Sequence, residues 1–595
     1  MTAPLLDSPS PRFDEMRLAT RTLQLLGLAA SAAVVHADSR CFPEDFLFGS
    51  ATASYQVEGA VKEGGRTPSI WDEYCRTQPG LKCANVADDF YHRYKDDVKL
   101  MVETGLQSFR FSVSWSRVMN WDAALHGMRP NSEGIAFYHS LIDELSLSGI
   151  VPILTIYHWD LPIELHTQLR EEGWLDSEII DHYVEYATLL FKEYGKKINY
   201  WATFNEPLSF SAGGYALGMG APGHTGSQTQ AYTATHNVLL SHAQAVQKFR
   251  KLKADNVVGD KARIGIVLNA DYAYPLDASD PADVEAASRK MEFDVGWFLS
   301  PIVTGDYPPI MREIVGDRLP QFYGGQSELI KGSYDLLMLN HYGSRQVTSC
   351  NSKSSNKDCA ILTPGFEQDR GIDDSQIVPG TRQRSKKAQQ DSHCASFTAY
   401  PPGYLETIKW LHKHDTSADI LLTENGWCGD DEIDNPDQLW YFQAYLDQVH
   451  KAVTEEHIPI IGYTAWSFLD NYEWGSYESR FGLYYVNYTS ESGSPDFYEP
   501  KPTDLARIPR PSAKWFQKVA STKCLGAEEA AATTATTPES AGHNHHVWRW
   551  LFGIVVFAAA AFVAVVVLVF LFGRRIWRHF RGHEEGSATE ATRLL

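Results

Sequence analysis

The chain has 595 residues, 44% hydrophobic and 21% charged, a globular balance that excludes a disordered or fibrous protein. Its formal net charge of −21 speaks against nucleic acid as a partner, because phosphate binding needs a basic face. No Walker-type glycine loop and no zinc-spaced CxxC pair occurs, so neither phosphoryl transfer nor a structural metal is suggested.

The N-terminus reads as a targeting segment. Arg17 and Arg21 precede the apolar run "TLQLLGLAASAAVV", which closes on "VHA" at 35–37. A basic start, a short apolar stretch and a small-residue cleavage site predict a signal peptide over 1–37. The stretch before the apolar run is long for such a signal, which leaves retention without cleavage open.

From 41 to 522 no repeat and no linker divides the chain, and short β-type runs alternate with longer amphipathic ones. The runs are "FLFGSAT" (46–52), "SFRFSVSW" (108–115), "VPILTIYHW" (151–159), "NYWATFNEP" (199–207), "ARIGIVLNA" (262–270), "DLLMLNHYG" (335–343), "DILLTENGW" (419–427) and "IIGYTAWSF" (460–468). Strands apolar on both faces and separated by helical stretches imply a parallel sheet. Eight such units in one domain predict an α/β fold of the (β/α)8 TIM barrel type.

Nearly every run ends in, or is soon followed by, a residue capable of chemistry: Gln56, Arg110, His158, Asn205 with Glu206, Tyr342, Glu424 and Trp466. In a barrel the C-terminal strand ends share one mouth, where active sites are built. Two carboxylates across a sugar-sized cleft can split a glycosidic bond, one protonating the leaving oxygen and the other attacking the anomeric carbon or activating water. The acid needs a raised pKa while its partner stays ionised. Asn205 can hold a substrate hydroxyl, and Arg110 can keep Glu424 charged by pairing with it. Trp159, Trp466 and Trp474 offer flat apolar faces for a sugar ring.

Past the barrel, residues 525–547 read as an Ala/Thr-rich stalk. "LFGIVVFAAAAFVAVVVLVFLF" (551–572) then runs for 22 residues without a charge, the length of a bilayer-spanning helix. Arg574, Arg575, Arg578 and Arg581 follow it, against Arg549 alone before it, which predicts a cytosolic tail over 573–595. The expectation is a single-pass type I membrane protein with its barrel lumenal or extracellular, at the cell surface or in an endosome-, lysosome- or vacuole-like compartment. The terminal "EATRLL", Glu590 to Leu595, resembles acidic dileucine signals read by sorting adaptors. Eight cysteines suit an oxidising compartment. Cys75 with Cys83 and Cys350 with Cys359 are close enough to staple loops, and Cys41 with Cys524 could tie the domain's ends, the connectivity staying open. Asn487-Tyr488-Thr489 is a candidate N-glycan site.

"FLFGSATASYQVEGA", "FRFSVSWSR", "YHWDLP", "TFNEP", "TENGW" and "WSFLDNYEW", in this order, resemble the signatures of glycoside hydrolase family 1, the β-glucosidase and lactase group. The resemblance covers about 42–520. It implies a retaining mechanism on terminal β-linked glucosyl or galactosyl residues, with Glu206 as acid/base and Glu424 as nucleophile. It also implies that Gln56, His158, Asn205, Trp466, Glu473 and Trp474 hold the sugar, and that Arg110 and Tyr342 position and tune the nucleophile. It implies no metal and no organic cofactor. Glu473 is absent from the family's 6-phosphoglycosidases, so an unphosphorylated sugar is expected. Glu206 stands where plant thioglucosidases carry glutamine, so an O-glycoside is expected. Where members often carry a tryptophan before a "YPxG" stretch, "CASFTAYPPG" has Ser396 and then Phe397, and His341 replaces a usual tyrosine. The β-glycoside could be an oligosaccharide, a glycolipid or a small-aglycone glucoside. The alternatives are a glycan- or protein-binding membrane receptor without turnover, and a transglycosylase.

Overall fold

Each of the eight apolar runs becomes a strand in the computed structural model, which describes residues 40–350, 359, 362–383, 394, 397–488 and 504–526. Numbered in chain order, the barrel strands are β1 (Leu47–Ala51), β2 (Ser108–Ser112), β3 (Val151–Tyr157) and β4 (Tyr200–Asn205), then β5 (Arg263–Asn269), β6 (Leu337–Asn340), β7 (Ile420–Asn425) and β8 (Ile460–Trp466). Every neighbouring pair is parallel, in sequence order, and β8 pairs with β1 to close the barrel.

The apolar character on both strand faces has two destinations. Ile153, Ala202, Val267, Met338 and Leu421 point inward and form a small core inside the barrel. Leu154, Ile156, Trp201 and Leu422 point outward and join the larger core beneath the helices. Those helices include α1 (Phe90–Glu103), α2 (Ser132–Leu147), α3 (Ile179–Tyr194) and α4 (Gln230–Ala254). They continue with α5 (Pro281–Met291), α6 (Trp297–Thr304), α7 (Pro401–His414), α8 (Pro436–Thr454) and α9 (Pro511–Thr522). Helix α3 shows the logic: Ile179, Tyr183, Tyr186, Leu190 and Tyr194 recur at helical spacing and are all buried, the stripe that docks a helix on a sheet. Helices α5, α7, α8 and α9 open on proline, whose fixed φ suits a first turn and whose missing N–H costs nothing there.

The inner apolar core fills the barrel below its mouth and leaves the strand ends to polar groups. Two strands reach that mouth through a break in register. On β4, Ala202 aligns with Gly265 but Asn205 with Val267, so Thr203 and Phe204 both face outward, Thr203 to His242 and Phe204 stacked on Tyr183. On β7, Leu422 aligns with Tyr463 but Asn425 with Ala465. The extra residue puts Thr423 and Glu424 both inside, where they bond Asn340 and Arg110. Bulges of this kind re-aim side chains beside active sites.

Arg40–Cys41 pairs antiparallel with Cys524–Leu525, and a disulfide joins Cys41 to Cys524. The folded part therefore runs past residue 522, and Leu525, where the stalk was expected to begin, lies in a strand. The Cys75–Cys83 and Cys350–Cys359 bridges are present too. A fourth, Cys394–Cys428, spans residues too far apart in sequence for spacing to suggest it. Among the described residues no helix is long and apolar enough to cross a membrane. The expected signal peptide, the stalk after 526, the span at 551–572, the tail and its dileucine all lie outside the described residues. All described residues belong to one compact unit.

Candidate active site

Arg110 organises the mouth. It is the third residue of β2 rather than its last, and its buried guanidinium rises past the inner core to reach three strands. Nη1 donates to Glu424 Oε1 at 2.5 Å, Nη2 to Asn205 Oδ1 at 2.7 Å and Nε to Thr155 Oγ1 at 3.0 Å. Burying an arginine is expensive unless it is paired and its donors are filled, and here each nitrogen has a partner. Tyr342 Oη donates to the other Glu424 oxygen at 2.8 Å. Burial and then the Glu424 charge push the Tyr342 phenol well above its ordinary range, so it stays a donor.

Glu206 sits in a different setting. Asn340 Nδ2 donates to its Oε1 at 2.7 Å and to Asn205 Oδ1 at 3.1 Å, while Ser209 Oγ donates to its Oε2 at 2.8 Å. Among the described residues no cation forms an ion pair with it. Burial, and next the Glu424 charge, raise its pKa to about 7, against the lowering by Asn340, Ser209 and Arg110. Its backbone is left-handed, with φ 48°, as are those of Trp159 (φ 78°) and Trp474 (φ 45°). Each such conformation costs a non-glycine residue roughly 1 kcal/mol, and three together at one mouth mark a site that the surrounding packing holds in place.

The remaining expected residues converge on the same space. His158 accepts from Asn205 Nδ2 at 3.0 Å, and burial, reinforced by Arg110, holds its pKa well below 6.5, so its ring is neutral. Glu473 takes Trp466 Nε1 and Gln56 Nε2, each at 3.1 Å. Burial pushes it up to about 8. Among the described residues Gln56 Oε1 is buried with no hydrogen-bond partner. The ring of Trp474 lies 5.9 Å from His158 and 4.3 Å from Trp159, and the Trp466–Ser467 peptide is cis. Asn487 stands apart, half-buried after the strand Tyr484–Val486, and Thr489 of its sequon lies outside the described residues, as does Ser396.

Four contributors were not foreseen, among them Ser209, whose hydroxyl donates to Glu206. Asn340, last residue of β6, links the two carboxylate settings. Thr155 fills a donor of Arg110. Asn269, last residue of β5, donates to Ser209 Oγ at 3.1 Å. Asn340 and Asn269 both end strands, a signal that the sequence does carry. His341 faces away from the mouth: its Nδ1 meets Ala270 O at 2.8 Å, its ring stacks on Tyr404, and burial lowers it to about 4. Phe397 packs on Trp427 and Tyr342.

The sequence profile of Glycosyl hydrolase family 1 matches residues 38–525. The chain belongs to that family. Beta-glucosidase 25 of Oryza sativa subsp. japonica is 37% identical over 521 residues, covering 83% of this chain and 97% of that protein. Among solved structures, the rice Os3BGlu6 β-glucosidase superposes with TM-score 0.70 at 33% identity, covering 80% of this chain and 98% of that one. A mutant of the rice enzyme, in a covalent complex with Glc, matches at the same TM-score, identity and coverage. The β-glucosidase of Trichoderma harzianum gives 0.70 at 34%, covering 82% and 99%. This family 1 chain is a glycoside hydrolase of the β-glucosidase type, built on a closed parallel (β/α)8 barrel.

Proposed function

We propose that the chain is a retaining β-glycosidase that cleaves terminal, non-reducing β-linked glucosyl or galactosyl residues by double displacement, with Glu206 as acid/base and Glu424 as nucleophile. The observation that carries the reading is the contrast between the two carboxylates: Arg110 and Tyr342 hold Glu424, whereas Glu206 forms no ion pair among the described residues and burial raises its pKa to about 7. Glu206 would give its proton to the glycosidic oxygen as the Glu424 carboxylate attacks the anomeric carbon. The carbon–oxygen bond to the leaving alcohol breaks and an ester to Glu424 forms. Glu206, now ionised, would take a proton from water, which attacks the ester and frees the sugar and Glu424. The covalent Glc complex of the rice relative supports such an intermediate.

Gln56, Glu473, His158, Asn205, Trp466 and Trp474 surround the space next to Glu424 and would hold the sugar's hydroxyls and ring. External nucleophiles test the roles. With azide and a dinitrophenyl β-glucoside, Glu424→Gly should yield α-glucosyl azide and Glu206→Ala the β-anomer. The opposite pairing would exchange the two roles, and inert protein from both variants with active wild type would remove them.

We further propose a type I membrane topology, with the barrel lumenal or extracellular. Four disulfides fit an oxidising compartment, and the uncharged run at 551–572 with its following arginines supports the orientation. Leu594→Ala with Leu595→Ala should redistribute the protein to the cell surface; unchanged location would refute the sorting role of the tail.

A further inference from the structure

A second cavity, of about 430 Å3, lies on the flank of α7, and none of its lining residues belongs to the site above. Its volume is within the range of small-molecule sites. Along α7, Glu406, Lys409, Trp410 and Lys413 follow at helical spacing and all line it, so one face of the helix is turned toward it. The other lining comes from elsewhere in the chain: Tyr272, in the strand Tyr272–Pro275 that follows β5, and Glu456 with Ile458, just after α8. Gly403 lets that strand's sheet approach the helix. A Cβ there would lie 1.8 Å from the hydroxyl of Ser344, which pairs with Tyr272. His414 holds Trp410 in place, with the two rings centred 4.1 Å apart and His414 Nδ1 2.8 Å from the Trp410 carbonyl oxygen.

The lining combines flat rings with charges of both signs. Lys409 Nζ lies 3.4 Å from one oxygen of Glu406 and 3.6 Å from one oxygen of Glu456, which leaves the second oxygen of each carboxylate to accept. Tyr272, Trp410 and Lys413 make no side-chain hydrogen bond or ion pair among the described residues, and His412 Nδ1, also in the lining, is buried without a partner. Two carboxylates and two ammonium groups balance, so neither an anion nor a cation is favoured as ligand. An alkyl chain would strip water from those charges without replacing its hydrogen bonds, which is costly. A sugar matches both parts of the lining. Its C–H face removes an aromatic ring from water, while its hydroxyls donate to the carboxylates and accept from the ammonium, indole and phenol groups.

We propose that this flank of α7 is a second, non-catalytic carbohydrate site, which takes a neutral oligosaccharide and holds it on the outer wall of the barrel. The proposal does not depend on the catalytic reading above. The test is saturation-transfer NMR on the full chain in lipid nanodiscs, with cellotetraose as the probe and 1-deoxynojirimycin in excess to occupy the mouth. Cellotetraose should still receive saturation from the wild type. Trp410→Leu, which keeps an apolar group toward the core, should weaken that binding at least about fivefold, as truncating a central aromatic contact does. Turnover of p-nitrophenyl β-glucoside without the inhibitor should stay at the wild-type level. Lys413 and Glu456 are exposed, so Lys413→Ala with Glu456→Ala leaves the packing alone and carries the same expectation if Trp410→Leu does not fold. No transfer to cellotetraose from the wild type would overturn the proposal, and so would transfer that these folded variants leave intact. Tighter binding of a sulfated cellotetraose would overturn the neutral class of ligand. In each case turnover of p-nitrophenyl β-glucoside reports on the catalytic reading separately.

Discussion

Two glutamates of identical intrinsic chemistry are made different by what touches them. Glu424 is locked between a guanidinium and a phenol, whereas Glu206 has only neutral donors and a neighbouring negative charge. A general acid acts in its protonated form, and the Glu206 pKa is raised, so activity should be present below about pH 7 and lost as pH rises through that value. The amide of Asn340 favours the ionised form of Glu206. Asn340→Ala should therefore move the basic limb of the kcat/KM profile to higher pH while lowering kcat; an unshifted limb would deny Asn340 this positioning role. The pairing of Arg110 with Glu424 is legible in sequence because an arginine buried in a barrel strand needs a carboxylate partner, although its mid-strand position is not. The role of Asn340 is not, because an asparagine at a strand end is equally a turn former until Glu206 is placed beside it.

At the scale of elements, all eight strands are legible, since burial on both faces writes a continuous apolar run that neither loops nor surface helices share. Register is not legible. The breaks on β4 and β7 depend on the neighbouring strand, and strict alternation from the inward-facing Leu421 would have turned Glu424 away from the mouth. The β7–β8 junction is correspondingly tight: a Cβ on Gly426 would lie 1.8 Å from the backbone oxygen of Trp466. Neither strand can yield without moving Glu424 or Trp466. Gly426→Ala should cost about 1–3 kcal/mol by overpacking, read as a lower Tm, and should depress kcat by displacing Glu424. Wild-type stability and rate in this variant would mean that the junction relaxes freely.

Across the whole molecule, the chain closes on itself. Cys41 and Cys524 are 483 residues apart, and their bridge fastens a strand pair that joins the first described segment to the last. Constraining so long a loop in the unfolded chain stabilises the fold by an amount that rises only slowly with loop length. Cys41→Ser with Cys524→Ser should lower stability by about 2–5 kcal/mol, seen as a reduced Tm with the catalytic constants little changed, since the bridge joins the chain ends rather than the barrel mouth. An unchanged Tm would show that the strand pair and α9 suffice. The Cys394–Cys428 bridge is hidden from sequence because only the fold brings its two loops together.

If Glu424 is the nucleophile, it becomes covalently linked to sugar during turnover, and a trapped intermediate reveals it. The full chain is incubated with a 2-deoxy-2-fluoro β-glucoside that carries a good leaving group, then digested and analysed by mass spectrometry. A single fluoroglucosyl adduct is expected on the peptide containing Glu424, formed as activity is lost and absent from Glu424→Gln. An adduct on the peptide carrying Glu206, or no adduct from folded, active protein, would contradict it.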